Sequence, residues 1–213
     1  LAPPENAVVF EGSDLRWYNV REIGIEGKGW AATAAFYDRL PAKAEGGIPA
    51  AVWGLSRDSA GLCVRFVTDA ATIAARWILR DKGLDMYHMP STGVSGLDLY
   101  VRQDNAWRWL GLGRPKGFPE NRDILIEGLP EDIREFRLYL PLYNGVTDVH
   151  IGIPETAKLW KAPPYPAGKE KPVVCYGTSI TQGGCASRPG MAYPAILGRR
   201  LNRPAVNLGF SGN

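Results

Sequence analysis

Pro172-Val173-Val174-Cys175-Tyr176-Gly177-Thr178-Ser179-Ile180-Thr181-Gln182-Gly183-Gly184 is a short apolar run that ends at a glycine and opens into a polar, glycine-flanked loop. Continuous apolarity is what a strand buried on both faces requires. A helix is predicted over Met191–Leu201, where Tyr193, Ile196, Leu197 and Leu201 fall on one stripe. Pro194 is tolerable there because it lies in the first turn. Pro204-Ala205-Val206-Asn207-Leu208 is a second buried strand, and Gly209-Phe210-Ser211-Gly212-Asn213 a second loop. Strand, loop, helix, strand, loop is the opening of a parallel α/β sheet with a right-handed crossover. A two-stranded parallel sheet cannot cover both its faces, so this part reads as incomplete.

Upstream the pattern changes. Residues 156–171 include Lys161-Ala162-Pro163-Pro164-Tyr165-Pro166-Ala167-Gly168-Lys169, a Pro-rich stretch that reads as a semi-rigid linker. Residues 1–155 carry period-two segments: Leu62–Val67, Ile73–Leu79, Leu97–Arg102, Trp107–Leu110, Ile124–Ile126, Phe136–Leu140 and Val149–Ile153. Leu97–Arg102 and Trp107–Leu110 form a hairpin with Gln103-Asp104-Asn105-Ala106 as a four-residue connection. Short strands separated by turn signals such as Arg57-Asp58-Ser59-Ala60-Gly61 indicate a sandwich or barrel.

Composition narrows the function. The 213 residues are 45% hydrophobic and 22% charged, with 25 Gly and 17 Pro, which excludes wholesale disorder and a helical bundle. No run approaches the roughly 20 apolar residues of a membrane span. The net charge is +3 and the basic residues are scattered, so no nucleic-acid partner is indicated. Cys63, Cys175 and Cys185 are odd in number and lack paired C-x-x-C spacing, against a structural zinc site. Whether Cys185 pairs with Cys175 is left open. The two histidines, His88 and His150, leave little room for a multi-histidine metal site or for several imidazole bases. The chain starts at Leu1 with no visible signal peptide.

Ligands of open α/β sheets bind beyond the carboxyl ends of the strands, where both loops lie. Gly177 lets the backbone turn before Ser179, which can serve as a nucleophile if a base removes its proton. Gly209 and Gly212 would free N–H groups for a developing oxyanion. On spacing alone the competing reading stands, in which Ser179 and Thr181 satisfy a turn or a helix cap. The loop lacks the Gly-Lys-Ser/Thr of a P-loop, and the Gly-x-Ser-x-Gly elbow is absent because Thr181 stands two residues after Ser179.

Tyr176–Gly183 resembles the first block of the SGNH (GDSL) esterases and lipases, and Asn207–Gly212 resembles their second block. The resemblance implies that Ser179 is the nucleophile and that the N–H groups of Ser179 and Gly212 are oxyanion donors. Thr178 departs from the commonest Asp at its place. Ser95-Gly96-Leu97-Asp98-Leu99-Tyr100 resembles the Gly-x-Asp-Leu-Tyr signature of an N-terminal domain that precedes some bacterial members, and Cys185–Pro194 looks like the same subgroup. The fold so implied is multidomain. It is an all-β, jelly-roll-like sandwich (1–155), the linker (156–171) and the start of an α/β/α, flavodoxin-like catalytic domain (172–213).

The resemblance places the remaining oxyanion Asn and the catalytic Asp and His beyond Asn213. Neither His88 nor His150 matches the catalytic position, so these 213 residues alone are expected to have little or no esterase activity. The implied substrate is a small-molecule or glycan acyl ester, acetylated carbohydrate among the candidates, with no metal and no organic cofactor. The implied location is secreted or periplasmic, and the oligomeric state stays open. A second reading is a non-catalytic sandwich that binds glycans or a partner. On that reading some of Trp17, Trp30, Trp53, Trp77, Trp107, Trp109 and Trp160 form a stacking platform, against the more ordinary use of tryptophan in core or domain-interface packing.

Overall fold

The computed structural model describes residues 6–213. Two antiparallel five-stranded sheets lie face to face. The first contains, in spatial order, β1 (Ala7–Val8), β2 (Leu15–Asn19), β9 (Val146–Pro154), β4 (Ile73–Leu79) and β7 (Glu120–Ile126). The second contains β10 (Leu159–Lys161), β3 (Cys63–Thr68), β8 (Arg134–Tyr139), β5 (Leu97–Gln103) and β6 (Ala106–Gly113). Short helices α1 (Val20–Ile23), α2 (Ala50–Ser56) and α3 (Ser91–Val94) lie in the connections. Successive strand residues point to opposite faces, so one half of each alternating pattern fills the space between the sheets. Ile73, Ala75, Trp77, Val149, Ile151 and Ile153 come from one sheet, and Val64, Phe66, Leu97, Leu99, Phe136 and Leu138 from the other. This is a β-sandwich, one of the two architectures, sandwich or barrel, that the alternation indicates.

Several local expectations change. The hairpin between β5 and β6 has a two-residue connection, because Gln103 already pairs with Ala106. Asp104 and Asn105 hold φ of 50° and 60°, the left-handed conformation that tight hairpins demand and that Asp and Asn tolerate. Leu159–Lys161, within the stretch read as linker, is strand β10 on the edge of β3. The chain beyond β10 is pinned to the sandwich. Arg65 donates to Pro163 O, and its guanidinium lies 4.1 Å over the Tyr165 ring. The Tyr165 hydroxyl donates to Glu26 (2.6 Å) and accepts from Arg137 (2.9 Å).

The last part contains β11 (Val173–Gly177), α4 (Ser179–Gln182), a 3-10 turn (Pro189–Met191), α5 (Tyr193–Leu201) and β12 (Ala205–Gly209). The strands run parallel, with Val173 opposite Ala205 and Gly177 opposite Gly209. The helix expected from Met191 starts at Tyr193, because the separate turn takes up Met191. Its buried face is Pro194, Ala195 and Gly198 rather than the larger apolar stripe. Small residues let its backbone approach the sandwich, where Tyr139 Oη donates to Ala195 O (3.4 Å). β11 is also not buried on both faces, since Val174 is 57% and Tyr176 80% exposed.

The outward face of the second sheet is the seat of this α/β part. From the Gly-x-Asp-Leu-Tyr stretch, Leu97 and Leu99 point into the core while Asp98 and Tyr100 point outward. Asp98 is fully buried there. It accepts from Gly190 N (2.8 Å) and Trp109 Nε1 (3.0 Å), and Arg188 lies beside it (3.5 Å). Tyr100 stacks under the Arg199 guanidinium at 3.9 Å.

Candidate active site

The carboxyl ends of β11 and β12 carry the two loops that the sequence singled out. Phe210 N donates to Gly177 O (2.9 Å), which extends the parallel pairing by one rung and sets the second loop beside the first. Gly177 is extended rather than left-handed, so its absent side chain serves space instead of a sharp turn. A Cβ there would strike the Thr181 side chain. Gly209 lies against α4 more tightly, where a Cβ would collide with the backbone of Thr181 and Gln182.

Ser179 opens α4, so its N–H stands in the first turn without an acceptor one turn back. Its carbonyl accepts from Gly183 N (2.9 Å), Gly184 N (2.7 Å) and the Tyr143 hydroxyl (3.3 Å). Among the described residues no group hydrogen-bonds the Ser179 hydroxyl, and Thr178 makes no side-chain cap. Gly212 sits in the left-handed region at φ 73°, and no described residue accepts its N–H. Gly209 differs from expectation: its N–H is taken by Asn207 Oδ1 (2.9 Å) and is not free for an oxyanion.

The geometry depends on residues that no motif marks. Gln182 is fully buried and joins both loops to the sandwich. Its Nε2 donates to Asp58 Oδ2 (2.9 Å) and Leu142 O (3.2 Å), and its Oε1 accepts Ser211 N–H (2.9 Å). Asn207 Nδ2 donates to Thr181 O (2.8 Å), tying β12 to α4. Arg39, 1% exposed, donates through Nη1 to Asn207 O (3.1 Å) and Gly209 O (2.9 Å), on the edge of β12 away from β11. Its remaining donors reach Asp58 O (2.9 Å) and Leu55 O (2.6 Å), and the Phe210 ring lies 4.8 Å below. Burial pushes the Asp58 carboxyl up to about 6 against the opposing pull of Arg39 and Arg80, and lowers Arg39 to about 10. Tyr143, on the loop between β8 and β9, lies beside Ser211 as well as Ser179, and burial raises its hydroxyl pKa. Asp58 lies in a turn that reads as punctuation and Arg39 in an irregular stretch, so periodicity could not reveal either.

Neither histidine joins the site. His150 lies on the outer face of the first sheet, opposite the side that carries the α/β part, with Nδ1 3.1 Å from Asp148. His88 is exposed in a tight loop against Tyr87. All three cysteines are free, with Cys175 buried and Cys185 exposed. The tryptophans divide between packing groups and part-exposed rings, Trp30 being 40% and Trp109 50% exposed. Trp17 and Trp77 are buried, Trp107 stacks on Arg137 (4.5 Å), and Trp109 lies on Arg188 (4.9 Å) at the seat of the α/β part. No helix among the described residues is long and apolar enough to cross a membrane.

Comparison with known proteins places this architecture. Residues 15–159 match the GxDLY family, described as the N-terminus of the SGNH-hydrolase-type esterases, and residues 170–213 match the GDSL-like lipase/acylhydrolase family. A "putative GDSL-like lipase" from Bacteroides ovatus superposes with a TM-score of 0.86 at 32% identity, over 93% of this chain and 57% of that one. A salicylyl-acyltransferase from a tetracycline biosynthetic pathway shares the fold at TM-score 0.66 and 17% identity, over 94% of this chain and 55% of that one. The chain thus spans little more than half the length of either relative. No curated protein matches it.

Proposed function

Since the chain belongs to the SGNH-hydrolase-type esterases that carry a GxDLY N-terminal domain, we propose that it contributes the nucleophile and two oxyanion donors of a serine acylhydrolase. The observation that carries this reading is the pairing of the two loops. Phe210 N–H bonded to Gly177 O, and Ser211 N–H bonded to Gln182, bring an unengaged serine hydroxyl and an unengaged glycine N–H to the same sheet end.

In this mechanism Ser179 Oγ attacks the ester carbonyl as a base takes its proton. The carbonyl oxygen becomes an oxyanion held by the N–H groups of Ser179 and Gly212. Collapse expels the alcohol with a returned proton, and water releases the acid from the acyl-serine by the reverse proton path. The base must come from residues other than His88 and His150. The parallel strands are the start of the flavodoxin-like sheet of this enzyme class, and the substrate class is an acyl ester, acetylated carbohydrate included.

The test uses the natural protein that contains these residues, assayed with p-nitrophenyl acetate and labelled with a fluorophosphonate. Ser179→Ala is expected to abolish both turnover and labelling. Retained turnover in a folded Ser179→Ala protein refutes the assignment.

A further inference from the structure

We propose that Asp58 and Gln182 form a bridge through which the sandwich positions the oxyanion loop, a role that rests on the Ser179 and Gly212 reading above. A primary amide has a donor end and an acceptor end, and a buried one is oriented by its neighbours. On the sandwich side Gln182 meets two acceptors, the Asp58 carboxylate and the Leu142 carbonyl. They hold the NH2 group toward the sandwich and so leave Oε1 facing Ser211 N–H. Gly212 follows Ser211 directly, so the same bond fixes the chain from which the second oxyanion donor emerges.

Asp58 is itself held from two directions. Arg80 Nη2 donates to its other carboxylate oxygen (3.0 Å), and Arg39 Nε donates to its backbone carbonyl (2.9 Å). Arg39 continues to the carbonyls of Asn207 and Gly209, at the root of the same loop. The fold keeps this carboxylate 4% exposed although burial opposes its ionisation. In such a buried, low-dielectric network each polar group left unpaired is costly. If the Asp58 acceptor is lost, only Leu142 O still orients the Gln182 amide, and whenever the amide turns over its NH2 confronts Ser211 N–H, donor against donor. Asp58 and Gln182 are therefore positioning residues, and they touch no reacting atom.

The experiment is a double-mutant cycle in the natural protein, read as kcat and KM for p-nitrophenyl acetate, affinity for an alkyl boronic acid that forms a tetrahedral anion on the serine, and Tm. Loss of a whole oxyanion donor costs ~100–1,000-fold in kcat, so displacing one is expected to cost ~10–100-fold. Asp58→Asn and Gln182→Glu should each lower kcat by that factor with KM within about twofold, and boronate affinity should fall with kcat/KM. The double variant restores a donor at 58 facing an acceptor at 182 and keeps an acceptor for Ser211, while Leu142 O loses its donor, so recovery is partial. It should regain at least about threefold in kcat over the weaker single variant.

Normal kcat in a folded single variant overturns the bridge, as do losses that simply multiply in the double variant. Should Asp58→Asn fail to fold, Gln182→Glu reads the bridge from its other end by the same criteria. Ser179→Ala in the same series separates the two ideas. If it keeps turnover, the nucleophile assignment has failed. If it is inactive while Asp58→Asn is normal, the bridge alone has failed.

Discussion

Replacing Arg39 with alanine should detach the α/β part from the sandwich, and the structure sets the size of the effect. The guanidinium makes four hydrogen bonds to main-chain carbonyls, of Asp58, Leu55, Asn207 and Gly209. A hydrogen bond from a charged group contributes about 1.5–3 kcal/mol net, so the four amount to roughly 6–12 kcal/mol. Against this stands the cost of burying the charge. A pKa lowered from 12.5 to about 10 corresponds to about 3 kcal/mol. The balance is roughly 3–9 kcal/mol, and alanine leaves the Asp58, Asn207 and Gly209 carbonyls with no replacement donor, while Leu55 O keeps the Asp58 N–H. A loss of at least about 3 kcal/mol is expected, a large share of the 5–15 kcal/mol that holds a typical domain together. Lysine keeps the charge but has three donors on one nitrogen and no planar fork, so Arg39→Lys should fall between wild type and alanine. Urea titration followed by tryptophan fluorescence measures both variants. An Arg39→Ala midpoint equivalent to less than about 1 kcal/mol of destabilisation would refute the idea that this side chain anchors β12.

The same contacts set three further outcomes. Gly209→Ala places a methyl group on the backbone of Thr181 and Gln182, and should cost about 3 kcal/mol or more in thermal unfolding while lowering the proposed esterase activity of the natural protein. Asp58 and Asp98 both titrate at about 6 instead of 3.8, because burial penalises their charged forms. A carboxyl raised in the folded state binds protons that the unfolded chain has already lost. Stability from these two groups should therefore rise as pH falls from 7 to 5, by about 1 kcal/mol each, and disappear again as pH climbs through 6. Glu120, held below its usual range by Arg76, works in the opposite sense at lower pH. Urea midpoints against pH check this, and Asp98→Asn should remove about half of the rise. Trp107→Ala and Trp109→Ala should lower Tm without changing retention on a polysaccharide affinity gel, because both rings stack on arginines at the seat of the α/β part. Loss of retention with unchanged Tm would restore the stacking-platform reading.

The two loops of the candidate site were legible because their signals are local. A buried-strand run stopping at Gly177 with Ser179 beyond it, and a second run stopping at Gly209 with Gly212 beyond it, place both loops at sheet ends whatever surrounds them. The sandwich was legible for the same reason, since period-two alternation is written residue by residue. Where local reading failed, the deciding neighbour was remote. Gly209 reads as a flexible oxyanion donor, yet Asn207 takes its N–H and α4 occupies its side-chain space. The stripe Tyr193, Ile196, Leu197 and Leu201 reads as the buried face of a helix, yet Ala195 and Gly198 are the residues that pack.

The sequence by itself determined the alternating sheets, the parallel strand pair and the two loops, because each follows from spacings of a few residues. Only the tertiary structure decided what the outward positions do. Asp98 and Tyr100 alternate with core leucines and so face away from the sandwich core, and docking of the α/β part buries them against Gly190 and Arg199. Arg39 reaches carbonyls 168 and 170 residues away, and Gln182 reaches a carboxylate 124 residues away. Periodicity records only which side of its own strand a residue faces. Hydrogen-bond partners this distant in sequence are chosen when the α/β part packs onto the second sheet.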